Sequence, residues 1–311
     1  MLYCTDNITN MGPRGLSNYL RYKDLNGIQK RDMVFFRGRT IVVDTSIYMY
    51  RFKSEGEDLL YEKFIKLMCI FKKYNINAIF IFDGSSPKVK YDTLLKRKER
   101  RETSQKLYEK LSDCSSTPSH ILKKIRREKA TISMNETNNV KKLIDSYGFY
   151  YINAINEADE LCAYFVINKM AYACLSDDMD LMLYGVPIVM RYISLLKEEV
   201  IVYDTFDILS EINMNLNMFR VICIASGTDY NCSSSDDNTD PVSITTLFKY
   251  YENNDKQSIF NVINSKSISI KKAIQIYYVD SDKYCHYQNL NKDEKPTFAN
   301  IQDLLPNFVF I

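Results

Sequence analysis

The sequence of 311 residues contains no tryptophan, two histidines and only nine glycines. No apolar run is long enough to span a bilayer, and the N-terminus lacks a signal peptide's apolar core, so a soluble, intracellular protein is expected. Among eight cysteines there is no C-x-x-C pair, and several sit in apolar runs, which argues for reduced, buried thiols. No basic nuclear-import cluster stands at either end. Plentiful Asn, Ile, Lys and Tyr fit an A/T-rich coding sequence rather than a mechanism. The formal net charge of +2 says little, because the charge is unevenly spread.

What the chain does contain is a recurring placement of acids. Thr40-Ile-Val-Val-Asp44 and Ala78-Ile-Phe-Ile-Phe82-Asp83 are apolar strands that end in an aspartate, each followed by a turn or helix start. Asp44 alone is equally readable as an N-cap, and Asp83-Gly84 as an ordinary turn. Two further pairs, Glu157 with Asp159 and Asp178 with Asp180, lie about twenty residues apart. The first pair opens the apolar helical run Leu161 to Val166; the second follows a buried strand within Met170 to Leu175. Acids at strand C-termini and helix N-termini converge in the crevice of a parallel α/β sheet. Gathered there they repel unless a cation separates them, and hard oxygen ligands suit Mg2+ or Mn2+. Asp229, after the helix 217–226, adds a seventh acid.

Between Lys88 and Lys129 fourteen Lys or Arg face six Asp or Glu. This local excess is a footprint for a polyanion, although a solvated helical pair would carry similar charge. Both basic clusters read as helical, joined by the polar stretch 112–119. Helices are expected near 16–22, 59–74, 138–147, 205–213 and 217–226, and strands at 149–152, 187–191 and 200–203. Short helices are expected over 243–278.

Together these residues resemble the XPG-type flap endonuclease family of structure-specific 5′ nucleases. The resemblance rests on Met11-Gly12 with Gly15-Leu16, Val43-Asp44, Phe82-Asp83-Gly with Pro87, and Lys96-Arg97-Lys-Glu-Arg-Arg101. It continues through Glu157-Ala-Asp159, Asp178-Met-Asp180, Pro187-Ile-Val-Met-Arg191 and Gly227-Thr-Asp229-Tyr230. It implies an α/β fold, a PIN-like (resolvase-like) parallel sheet flanked by helices, with an inserted basic helical arch and a helix-hairpin-helix-like C-terminal appendage. The implied divisions are a leader at 1–10, an N-terminal region at 11–87, the arch at 88–137, an internal region at 138–231 and a divergent tail at 232–311.

By the same resemblance, Asp44, Asp83, Glu157, Asp159, Asp178, Asp180 and Asp229 hold two Mg2+ ions, with Mn2+ as a substitute. Lys90 and Arg97 contact the scissile phosphodiester, Tyr50 stacks on a terminal base or else fills the core, and Arg100, Arg101, Arg126 and Arg127 hold the 5′ strand. The implied activity is metal-dependent cleavage of DNA at 5′ flaps, with 5′-to-3′ exonuclease action, in replication, repair or recombination. The alternatives are an exonuclease, a junction resolvase, a PIN-type ribonuclease, or a non-catalytic nucleic-acid-binding scaffold. The implied partner is DNA with single-strand/duplex junctions, bound by a monomer in the nucleus (the host nucleus, should the source be a large DNA virus).

Three departures stand out. Asp159 occupies a place where the family usually has Glu, which shortens its reach to a metal. The Gly-rich phosphate-gripping hairpin that follows Asp229 in the family is replaced by a Ser/Asp-rich loop. Ten residues precede Met11, so that either Met11 is the true start or a leader lies near the site. At the other end, Gln302, Leu305 and Phe308 loosely resemble a sliding-clamp-binding box, or complete a core.

Overall fold

The computed structural model describes residues 12–56, 58–86, 90–111, 118–228, 230, 242–265, 273–284 and 287. Asp229, the leader, the connector at 112–117, the loop at 231–241 and the clamp-like box therefore lie outside the described residues.

In chain order, α1 (Leu16–Tyr22) and β1 (Ile28–Asp32) precede a 3-10 turn (Met33–Phe36), β2 (Thr40–Asp44), α2 (Thr45–Glu55), α3 (Leu59–Lys73) and β3 (Asn77–Phe82). The basic pair α4 (Tyr91–Leu111) and α5 (Ser119–Lys129) follows, then α6 (Met134–Ser146), β4 (Tyr150–Asn153), α7 (Ala158–Ile167) and β5 (Ala173–Leu175). Next come α8 (Asp180–Tyr184), β6 (Ile188–Ser194), β7 (Glu199–Asp204), α9 (Thr205–Glu211) and α10 (Leu216–Ser226). The tail contributes α11 (Ile244–Glu252), α12 (Lys256–Ser265) and α13 (Ser281–Tyr284).

One sheet carries these elements in the order β1-β7-β6-β5-β2-β3-β4. The five strands from β6 to β4 run parallel, with β2 central and paired to β3 and β5. β2 is buried on both faces, which explains its unbroken Ile-Val-Val run. The expectation of a parallel sheet needs one correction: β7 pairs antiparallel with β6, and β1 antiparallel with β7. Ile-Gln-Lys-Arg-Asp at β1 is polar and mostly exposed, as suits an edge strand, so no apolar pattern announces it. Helix α6 also begins earlier than 138, because Ser133 and Glu136 form a capping box.

Two apolar layers flank the sheet. One packs α2, α3 and α6 through Phe52, Phe64, Phe71 and Phe80. The other packs α1, α7, α8, α10 and α11. The divergent tail is fastened to the second layer: Phe248 of α11 stacks on Tyr19 of α1 at 4.0 Å, and Phe219 of α10 lies against the same ring. No helix among the described residues is long and apolar enough to cross a membrane.

Candidate active site

Because β2, β3 and β5 are parallel neighbours, their C-terminal ends deliver Asp44, Asp83 and the loop 176–179 to one edge of the sheet. Asp44 serves as the N-cap weighed for it and keeps a second oxygen toward the neighbouring strand end. Its Oδ1 caps α2 by accepting from the Ile47 N–H (3.4 Å), and its Oδ2 accepts from Ser176 Oγ (2.8 Å). Ser176 Oγ also accepts from the Asp178 N–H (3.1 Å), so one hydroxyl joins the ends of β2 and β5. Asp178 Oδ1 in turn accepts from the Asp180 N–H at the start of α8 (2.9 Å).

Asp83 is solvent-exposed, and its Oδ1 accepts from the Ala158 N–H at the N-terminus of α7 (2.8 Å). Glu157 is the N-cap residue of that helix and Asp159 lies in its first turn. The dipole of α7 favours these negative charges. Gly84 makes the approach feasible: its N–H donates to Asn156 O (2.6 Å), and an added Cβ would stand 2.0 Å from Ala154 O. Gly12 plays the matching part opposite, with φ +86° and space for a Cβ closed by Asp178 Oδ1 at 2.8 Å and the Asp180 amide at 2.9 Å. The Arg14 N–H donates to Gly227 O (3.1 Å), tying this N-terminal segment to the end of α10, just before Asp229.

The carboxylates feel one another. Burial raises the Asp44 pKa well above the usual carboxylate value, and the charges of Asp83 and Asp178 push it further, against the Ser176 hydrogen bond. Asp159 is raised likewise by burial and by Asp178, Asp44 and Asp83, with Lys90 opposing. Asp159 Oδ1 is buried and accepts no hydrogen bond among the described residues. Such an atom is costly in a folded protein without a positive partner.

Lys90, at the foot of α4, is buried and pairs with Glu157 Oε1 at 2.7 Å, its ammonium 4.4 Å from the Tyr230 ring centre. The Tyr230 hydroxyl donates to Glu157 Oε2. Burial lowers the Lys90 pKa, but Glu157, Asp159 and Asp180 outweigh it and the net shift is upward. Lys90 is therefore a fixed positive charge and not a base.

The structure thus brings Asp44, Asp83, Glu157, Asp159, Asp178, Asp180 and Lys90 to one crevice. Among the described residues, no three acidic, His or Cys side chains are already closed around a single point as a formed ion site.

Outside the crevice, Arg97 and Arg100 are exposed on α4 and Arg101 is half-buried. Tyr50 is 42% exposed on α2, so it is not a core residue. Arg126 of α5 has structural partners: its guanidinium donates to Glu55 O (3.4 Å) and to the Tyr108 hydroxyl (3.3 Å), fastening α5 to α2 and α4. Arg127 is half-buried on the same helix.

Several supporting residues escaped the sequence analysis. Asp177, next to Asp178, turns away from the crevice, pairing with Arg51 (2.9 Å) and accepting from the Tyr192 N–H (2.8 Å). Arg191, almost fully buried, donates from Nε and Nη2 to Asp177 O (3.2 and 2.6 Å) and holds the 176–179 loop from beneath. Arg191, quoted above only as part of a motif, is a charge set within the mostly apolar run of β6, a signal that could have marked it as a buried clamp.

Comparison with known proteins identifies the family and the fold. The XPG N-terminal domain matches residues 11–104 and the XPG I-region matches residues 148–229. Flap endonuclease 1 of Nematostella vectensis is 29% identical over 240 residues, 72% of this chain and 63% of that protein. Flap endonuclease 1-B of Xenopus laevis is 27% identical over 236 residues, 71% and 61% of the two chains. This chain accordingly spans less than two thirds of the length of these relatives. Among solved structures, the catalytic core of Rad2 in complex with DNA substrate aligns with a TM-score of 0.60 and 20% identity, covering 86% of each chain. Flap endonuclease-1 from Methanococcus jannaschii aligns at 0.59 and 19%, covering 83% of each. Human GEN1 in complex with Holliday junction DNA aligns at 0.56 and 16%, covering 92% of this chain and 68% of that one. With both family regions present in order along the chain, the chain belongs to the XPG-type flap endonuclease family.

Proposed function

We propose that this protein is a divalent-metal-dependent nuclease that hydrolyses DNA at single-strand/duplex junctions, foremost at 5′ flaps, with 5′-to-3′ exonuclease action from the same site. The observation that carries this reading is the acidic crevice with a buried Asp159 Oδ1, unsatisfied among the described residues, set at the foot of a basic helical pair. An all-oxygen donor set of this kind fits Mg2+, with Mn2+ as a substitute. Asp44, Asp83, Glu157, Asp159, Asp178 and Asp180 would hold two ions, with Asp229 as the seventh acid. Such ions supply a lowered water pKa and charge neutralisation at the phosphate oxygens.

The chain's own groups do the rest. Lys90 keeps its proton and offers a fixed positive charge to the phosphate that enters the crevice, a charge that costs no reorganisation during reaction. Glu157 and Tyr230 hold Lys90 in place. Arg97, Arg100, Arg101 and Arg127, with the remaining basic side chains of α4 and α5, attract the single strand by phosphate contact. Tyr50, exposed on α2, would stack on an end base. Arg126 stiffens the arch and contributes positive field. A single chain acting in the nucleus completes the proposal.

Single-turnover cleavage of end-labelled 5′ flap, nicked duplex, single-strand and Holliday-junction substrates tests it, with Mg2+ or Mn2+ and with Asp178→Ala as control. Cleavage at the flap base, lost in the variant while binding persists, is the expected result. Cleavage restricted to ends or to the four-way junction would reassign the substrate. Metal-independent or absent cleavage would overturn the proposal.

A further inference from the structure

The two family regions end at residue 229, yet a residue far beyond them reaches into the crevice. Tyr277 is fully buried, and its hydroxyl donates to Asp180 Oδ2 at 3.0 Å. Its ring is held edge-on between Tyr184 (5.2 Å) and Tyr230 (5.6 Å). Its carbonyl accepts from Arg220 Nη2 of α10 (3.3 Å), so backbone and side chain are both anchored. A few residues on, Lys283 Nζ and the Tyr284 hydroxyl both donate to Glu160 Oε2 in the first turn of α7, at 2.5 and 2.8 Å. The segment 273–284 thus meets both helices whose N-termini carry the acidic pairs.

We propose that Tyr277 is a positioning residue for metal binding: its hydroxyl fixes the rotamer of Asp180, so the divergent tail completes the cation site. The physical grounds are general. A carboxylate among like charges rotates away from them unless a donor holds it, and a hydroxyl bonded to one oxygen leaves the other aimed at the cation. A phenolic hydroxyl carries its proton at neutral pH and so is available as a donor. The inference rests on the reading of Asp180 as a metal-holding acid.

Tyr277→Phe retains the ring and removes only the donor. The test measures metal binding without turnover, as the Mg2+ dependence of the thermal unfolding midpoint in DNA-free protein, beside the Mg2+ dependence of the single-turnover rate. Loss of a group supporting a metal ligand typically weakens binding by about 10-fold to 100-fold. We expect Tyr277→Phe to move both half-saturation points to at least about tenfold higher Mg2+, with substrate affinity in Ca2+ preserved. Tyr284→Phe, which alters the same segment but touches Glu160, should leave both half-saturation points in place. Unshifted Mg2+ dependence in Tyr277→Phe, or an equal shift in Tyr284→Phe, would overturn the proposal. A wild-type protein that neither gains stability from Mg2+ nor cleaves would instead overturn the nuclease reading, which keeps the two failures distinct.

Discussion

Asp159→Asn should make the metal-free protein more stable while removing its capacity to gain stability from Mg2+. Asp159 is surrounded by Asp178, Asp44 and Asp83, with Lys90 as the opposing charge. At an effective dielectric near 20 and separations on the order of 6 Å, each like-charge pair costs about 3 kcal/mol, and Lys90 offsets roughly one such pair. Partial protonation reduces the rest, so neutralising Asp159 should stabilise the metal-free fold by about 2 kcal/mol. For a chain of this size that corresponds to a midpoint rise of about 4 °C. Mg2+ at about ten times its Kd should add about 1.4 kcal/mol to the wild type and far less to the variant.

The pH dependence has a definite sign. A carboxyl whose folded pKa exceeds its unfolded value of about 3.9 binds its proton more tightly when folded. The contribution of Asp44 and Asp159 to metal-free stability is therefore greatest below the unfolded value and falls as pH rises through their raised folded pKa. Scanning calorimetry between pH 4 and 8, with EDTA or with Mg2+, reads all of these quantities. A variant that unfolds before the wild type in EDTA, or that keeps the full Mg2+ gain, would refute the reasoning.

Lys90→Ala should slow single-turnover cleavage by about 100-fold or more while flap affinity in Ca2+ changes much less, because the charge acts on the reacting phosphate; a loss confined to affinity would contradict that role. Gly84→Ala places a Cβ against the backbone oxygens of Ala154 and Ile155, so the strand-end loop must shift and separate Asp83 from the Ala158 amide. Overpacking of this kind costs about 1–3 kcal/mol, and both the unfolding midpoint and the Mg2+ response should fall; wild-type values for both would show that the loop yields freely.

The sequence by itself determined the central strands, their terminal acids and the helix capped by Glu157. These are local properties: β-branched runs make buried strands, and acids collect where strands end and helices start. It also set the basic character of α4 and α5, because charge counts need no coordinates. Only the tertiary structure decided what engages the acid beside Asp178. Asp177 and Asp178 are adjacent in the chain, but Arg51 lies 126 residues from Asp177 and turns that one away. The polar strand β1 joins the sheet only through β7, a pairing no local pattern encodes. Arg126 reads from its charge run as a phosphate ligand, and the fold adds contacts with Glu55 and Tyr108 that no charge count shows. Tyr277 is one of 24 tyrosines, with nothing in its neighbours to single it out. Its role follows from chain crossing 97 residues of sequence to meet Asp180, a contact that exists only once both apolar layers have packed.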